Sequence, residues 1–93
     1  MERTIAICDY VIDGNTLVTD SNVKLRLARV NISPIYTKDG ISSKMLLESL
    51  IADNVITFEK ISEDANGIII SEVWVRGKNV NDAMNSATHS QHE

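Results

Sequence analysis

Ninety-three residues, 43% hydrophobic and 24% charged, make one domain around a single core. They exclude a second domain, and they exclude a disordered chain, which would lack the apolar surface to offset its ordering entropy. A net charge of −4 argues against unselective attraction to a polyanion, because nucleic-acid affinity is largely phosphate neutralisation by Lys and Arg, although a local basic patch stays open.

Aromatic residues are scarce, with one Trp, two Tyr and one Phe. The core is therefore left to Ile, Val and Leu, which suit a pleated sheet. The opening Met1-Glu2-Arg3-Thr4 carries no apolar leader core, and no run approaches the roughly 18 apolar residues of a membrane span. A cytoplasmic protein with no membrane attachment is the expectation.

The first strand is predicted over residues 4–12. It holds the only cysteine, Cys8, which has no partner for an intrachain disulfide and reads as a small buried hydrophobe. Asp13-Gly14-Asn15 follows as a turn in which Gly14 can take a positive φ. A second strand spans 16–19, a turn 20–22, and a third strand 23–30. In that strand Lys24, Arg26 and Ala28 alternate with Val23, Leu25 and Leu27, so one face is core and the other wet. Arg29 breaks the alternation and marks a bulge or the end of regular pairing.

Residues 31–40 read as a loop holding the one proline, Pro34, which biases Ser33 away from helix. The spacing of Ile41, Met45, Leu46, Ser49 and Leu50 predicts a helix over 41–52, with Ser42 or Ser43 as N-cap and Asp53-Asn54 as the stop. A fourth strand covers 55–61, a polar loop 62–67, a fifth strand 68–75 and a turn 76–78. A short second helix over 79–85, capped by Asn79 or Asn81, closes a domain of residues 1–85. Residues 86–93 are small and polar and read as a disordered tail.

Three strands, a helix and two further strands is the order of a mainly β, five-stranded OB-fold barrel whose helix plugs one end. Three blocks then resemble successive signatures of the staphylococcal nuclease (thermonuclease) family. They are Asp13-Gly14-Asn15-Thr16, the run from Val23 to Val30, and Val73-Trp74-Val75-Arg76-Gly77-Lys78-Asn79-Val80-Asn81-Asp82-Ala83. Their order and spacing fit, and the resemblance covers nearly the whole domain. Family members continue into a further C-terminal helix, so a self-association surface is one expectation for the barrel surface which that helix would cover.

The resemblance implies a chemistry and also its loss. In the family two aspartates hold calcium, a glutamate assists the attacking water and two arginines hold the phosphate. The first aspartate position is Asn15 and the second Asn31, the glutamate position is Pro34, and the arginine positions are Arg26 and Ile68. A one-residue slip supplies no glutamate, since none occurs between Val23 and Leu47. An Asn carbonyl can ligate calcium but brings no charge, and losing the base forfeits a step worth about 10² to 10⁴ in rate. The expected cleft of Asp13, Asn15, Arg26 and Asn31 is thus vestigial, with no catalytic residue, no metal and no cofactor.

Other chemistry is weaker. His89 and His92 stand three apart without the further ligands a zinc site needs, Glu63 and Asp64 read as surface charge, and Ser42 and Ser43 as helix caps. Lys24, Arg26 and Arg29 form the one positive cluster and the candidate binding surface, without the aromatic platforms on which OB barrels stack bases. The reading is a non-catalytic binding module, a pseudoenzyme whose ligand is a protein, its own copy or, weakly, single-stranded nucleic acid. The alternative is a weak metal-dependent nuclease, for which calcium would be the cofactor.

Overall fold

The computed structural model describes residues 3–90. β1 (Thr4–Asp13), β2 (Thr16–Thr19) and β3 (Lys24–Leu27) form an antiparallel meander, followed by α1 (Lys38–Ile51), β4 (Val55–Glu63), β5 (Ile69–Val75), the two-residue β6 (Lys78–Asn79) and α2 (Val80–Ser90). β1 pairs with both β2 and β4, β4 with β5, and β5 runs parallel to β3. The ring β1-β2-β3-β5-β4 is therefore closed, a five-stranded OB-like barrel with β6 outside it.

The core is aliphatic, as the composition requires. Leu17, Leu25, Leu27, Leu47, Ile51, Ile56, Val73 and Val80 are buried, and Cys8 lies among them. On β3, Leu25 and Leu27 face inward while Lys24 and Arg26 face out. Ala28, expected on the wet face, is buried instead. The chain leaves the sheet after Leu27 and Arg29 turns left-handed at φ 62, so the β alternation stops one residue before it could expose Ala28. The β5–β6 connection is a two-residue loop, Arg76-Gly77, with φ 52 and 77. Positive φ at both positions defines the hairpin turn that suits the right-handed twist of strands.

α1 differs from its expectation in start and in orientation. Its N-cap is Thr37, whose hydroxyl accepts from Gly40 N–H at 3.1 Å, so neither Ser42 nor Ser43 caps it. Its buried face is Gly40, Ser43, Leu47 and Ile51. Ile41 and Met45, which the apolar spacing placed inward, stay exposed. Small residues let the helix sit close: a Cβ on Gly40 would fall 1.9 Å from the Pro34 carbonyl oxygen.

Close approach also explains Gly14. Its φ is not positive, contrary to expectation, but a Cβ there would meet Ser43 Cβ at 2.5 Å. The glycine admits α1 to the β1–β2 turn, and a bulge between Val11 and Asp13 accompanies that turn.

α2 continues five residues past the expected end at Asn85, through Ser90. Residues 86–90 of the expected tail are thus helical, and residues 91–93 lie outside the described residues. Asn79 is the cap, accepting from Asp82 N–H at 2.8 Å. Asn81 is buried instead: its Oδ1 accepts from Val73 N–H at 3.0 Å, and its amide donates to the carbonyls of Ala28 at 3.0 Å and Ser71 at 3.1 Å. One side chain thereby ties α2 to β5 and to the end of β3. No described helix is long and apolar enough to cross a membrane.

Candidate functional site

The β1–β2 turn, β3 and the loop after β3 bring the expected cleft residues together. Asp13 Oδ1 accepts from Asn15 N–H at 3.0 Å, an Asx turn that needs only a short polar side chain two residues back. The Asn15 side chain is engaged at both ends. Its amide donates to the Val30 carbonyl at 3.0 Å, and its Oδ1 accepts from the Thr16 hydroxyl at 3.0 Å. The Asn15 carbonyl accepts from Leu27 N–H at 2.8 Å. Arg26 Nε donates in turn to Thr16 Oγ1 at 3.4 Å. Asp13, Asn15, Thr16 and Arg26 are therefore one hydrogen-bonded chain, and Asn31, next to Val30, is exposed at its rim.

The remaining positions are occupied by structure. The Pro34 carbonyl accepts from the N–H and hydroxyl of Thr37, at 3.0 and 2.6 Å, which anchors the loop to the start of α1. Ile68 closes the β4–β5 turn: its N–H donates to Asp64 Oδ1 at 3.0 Å and its carbonyl accepts from Asp64 N–H at 2.9 Å.

The positive cluster is largely compensated. Arg26 lies 3.7 Å from Asp64 Oδ2, in the turn between β4 and β5. Arg29, outside the sheet, is paired with Glu72. Lys24 shares the outward face of β3 with Arg26 and, among the described residues, has no carboxylate partner. In the sequence Asp64 reads as plain surface charge, and nothing there singles out Glu72. Asp64-Ala65-Asn66-Gly67 does carry a turn signal, since Asp64 Oδ1 also accepts from Asn66 N–H at 2.8 Å, but nothing local points from Asp64 to Arg26.

Cys8 is not part of this cleft. Burial pushes its thiol up from 9.0 to about 11, helped by the nearby carboxylates of Asp53 and Asp9, so it is a poor nucleophile. The described residues hold no group of three or more His, Cys, Asp or Glu placed to share a metal. His92 and the side chain of His89 lie outside the described residues. Neither a protein-family model nor a curated protein matches this chain.

Proposed function

We propose that this chain is a non-catalytic interaction module, a thermonuclease-like barrel whose cleft groups now serve the fold. The observation that carries the reading is the Asn15 side chain, which spends its amide on Val30 and its oxygen on Thr16. A calcium ion takes six to eight oxygen ligands, with carboxylates supplying the charge, and a neutral Asn15 oxygen beside the single carboxylate of Asp13 does not suit it. Pro34 offers no base, and Ile68 offers no cation where a phosphate would need one.

Protein, including a second copy, is favoured over nucleic acid as the partner. Arg26 and Arg29 already stand beside carboxylates, which cancel part of the positive potential that a phosphate would meet. An apolar patch, by contrast, is present on β1 and β4, where Ile5 is 73% exposed, Ile7 43% and Val55, paired with Ile7, 59%. Contiguous exposed apolar surface marks interaction sites.

Labelled single-stranded DNA and RNA, incubated with the protein in calcium or in chelator, test the reading. The expected result is no cleavage above buffer in either, with binding weak and falling steeply with salt. Cleavage that needs calcium and is lost in Arg26→Ala would overturn it.

A further inference from the structure

Asn or Asp followed by Gly is the step at which a polypeptide most readily attacks itself, because glycine carries no Cβ to hinder closure of a succinimide ring. Such steps occur at Asp13-Gly14, Asp39-Gly40 and Asn66-Gly67. The fold shields the first two. Gly14 is buried against Ser43, and the Asp13 carboxylate is engaged by Asn15 N–H. Gly40 is buried against the Pro34 carbonyl at the start of α1, and its N–H donates to Thr37 Oγ1 at 3.1 Å. A carboxylate is in any case a poorer electrophile at neutral pH than the side-chain amide of asparagine.

The third step lies open. Asn66 and Gly67 are both exposed in the β4–β5 turn, and a Cβ on Gly67 would meet nothing within 4 Å. Gly67 takes φ 82, which glycine adopts without steric cost. Among the described residues nothing bonds the Asn66 side-chain amide. The Gly67 nitrogen is restrained by its hydrogen bond to the Asp64 carbonyl at 3.1 Å. The Asp64 carboxylate steadies the residues on either side, accepting from Asn66 N–H at 2.8 Å and from Ile68 N–H at 3.0 Å. Exposed turn bonds of this kind open at little free-energy cost.

We infer that Asn66-Gly67 is a self-modification site, gated by Asp64, at which the chain deamidates with water as its co-reactant. The Gly67 nitrogen gives its proton to solvent base and forms a bond to Asn66 Cγ. The Cγ–Nδ2 bond then breaks, and the nitrogen leaves as ammonia while the succinimide closes. Water adds to one of the two ring carbonyls, and the ring C–N bond at that carbonyl breaks. Addition at Cγ leaves aspartate. Addition at the Asn66 backbone carbonyl leaves isoaspartate, whose main chain runs through the side chain and is one methylene longer. Nothing is oxidised or reduced: amide and water become carboxylate and ammonium.

The turn lies next to the seam of the barrel. Ile69, two residues beyond Gly67, pairs with Glu63 on one side and with Leu25 of β3 on the other, the parallel contact that closes the ring. An added main-chain carbon between Asn66 and Gly67 shifts Ile68 away from the Asp64 carboxylate, the same carboxylate that faces Arg26. Isoaspartate therefore loosens the β3–β5 seam, and either product adds a negative charge two residues from Asp64.

Incubation of the whole chain at neutral and mildly alkaline pH, followed by peptide mass spectrometry and labelling with an isoaspartyl methyltransferase, is the test. Conversion of amide to acid is expected at Asn66 ahead of the other asparagines, faster at the higher pH, with methyl label in the same peptide. Asn66→Gln, whose longer side chain must close a larger ring, should lose both signals. Asp64→Ala, which frees the N–H groups of Asn66 and Ile68, should speed the conversion by about 5- to 30-fold, the rise in open population when one or two hydrogen bonds are lost. The isoaspartyl form, separated by ion exchange, should melt at a lower temperature than Asn66→Asp, which carries the same charge on a main chain of normal length. An Asn66 that stays intact while other asparagines deamidate overturns the site. A rate unmoved by Asp64→Ala overturns the gate, and an isoaspartyl form as stable as Asn66→Asp overturns the effect on the seam.

Discussion

The side-chain amide of Asn15 donates to the backbone carbonyl of Val30 at 3.0 Å, joining the β1–β2 turn to the chain just beyond β3. An aspartate has the same shape but no donor, and it would set a carboxylate against that carbonyl. Asn15→Asp should therefore cost about 1 kcal/mol, the net worth of one part-buried hydrogen bond. Urea midpoints with unchanged slopes would measure it. A neutral or stabilising outcome would show that the amide contributes nothing to the fold.

Gly14 is explained by contact with α1, which makes a prediction about a pair. Gly14→Ala should destabilise by about 1–3 kcal/mol through overpacking against Ser43. Ser43→Gly removes the opposing Cβ, so the double variant should lose less stability than the two single losses added together. Strict additivity in that cycle would mean that the strain lies elsewhere.

The strands were legible because barrel strands alternate, and the turns between them carry Asp, Asn and Gly. Residues 16–19 match β2 residue for residue, and the outward pair Lys24 and Arg26 follows from parity alone. The existence of α1 was legible for similar reasons, but its orientation was not. Apolar periodicity points to Ile41 and Met45, whereas the helix buries Gly40 and Ser43, and small residues at a close contact leave no hydrophobic signal. Gly40 likewise made the true first turn look like loop. Residues 86–90 lack the apolar spacing by which a helix declares itself. In the cleft, side-chain types at the resembling positions could be read off. The bonds that occupy them could not, because Asn15 to Val30, Arg26 to Asp64 and Arg29 to Glu72 all join residues distant in sequence.

Arg26 and Asp64 should respond unequally to truncation. Their charges are 3.7 Å apart and part-exposed, a kind of pair worth roughly 0–1 kcal/mol, so Arg26→Ala should move stability little. Asp64 also holds the N–H groups of Asn66 and Ile68, and Asp64→Ala should cost about 1–2 kcal/mol, near the worth of two turn hydrogen bonds. Equal losses from the two substitutions would assign the energy to the ion pair.

Cys8 gives the fold a pH dependence in the alkaline range. Its thiol is raised in the folded state, from 9.0 to about 11, so the folded protein holds the proton more tightly than the unfolded chain. The associated stability is fully present below pH 9.0 and is lost as pH rises toward about 11. At about 1.4 kcal/mol per pKa unit the loss is of order 2–3 kcal/mol. Cys8→Ala should flatten that part of the profile, and a disulfide reagent should leave the native thiol unmodified near neutral pH. Rapid modification of the folded parent there would contradict its burial.

On the proposed reading, the polar groups of the cleft hold the barrel together and do not hold a cation. Thermal melts of the parent in chelator and over a rising series of calcium concentrations test it most directly, since any ligand that binds the folded state alone raises Tm. Superimposable melts are expected at constant ionic strength. A saturable rise in Tm with calcium that disappears in Asn15→Ala would contradict it.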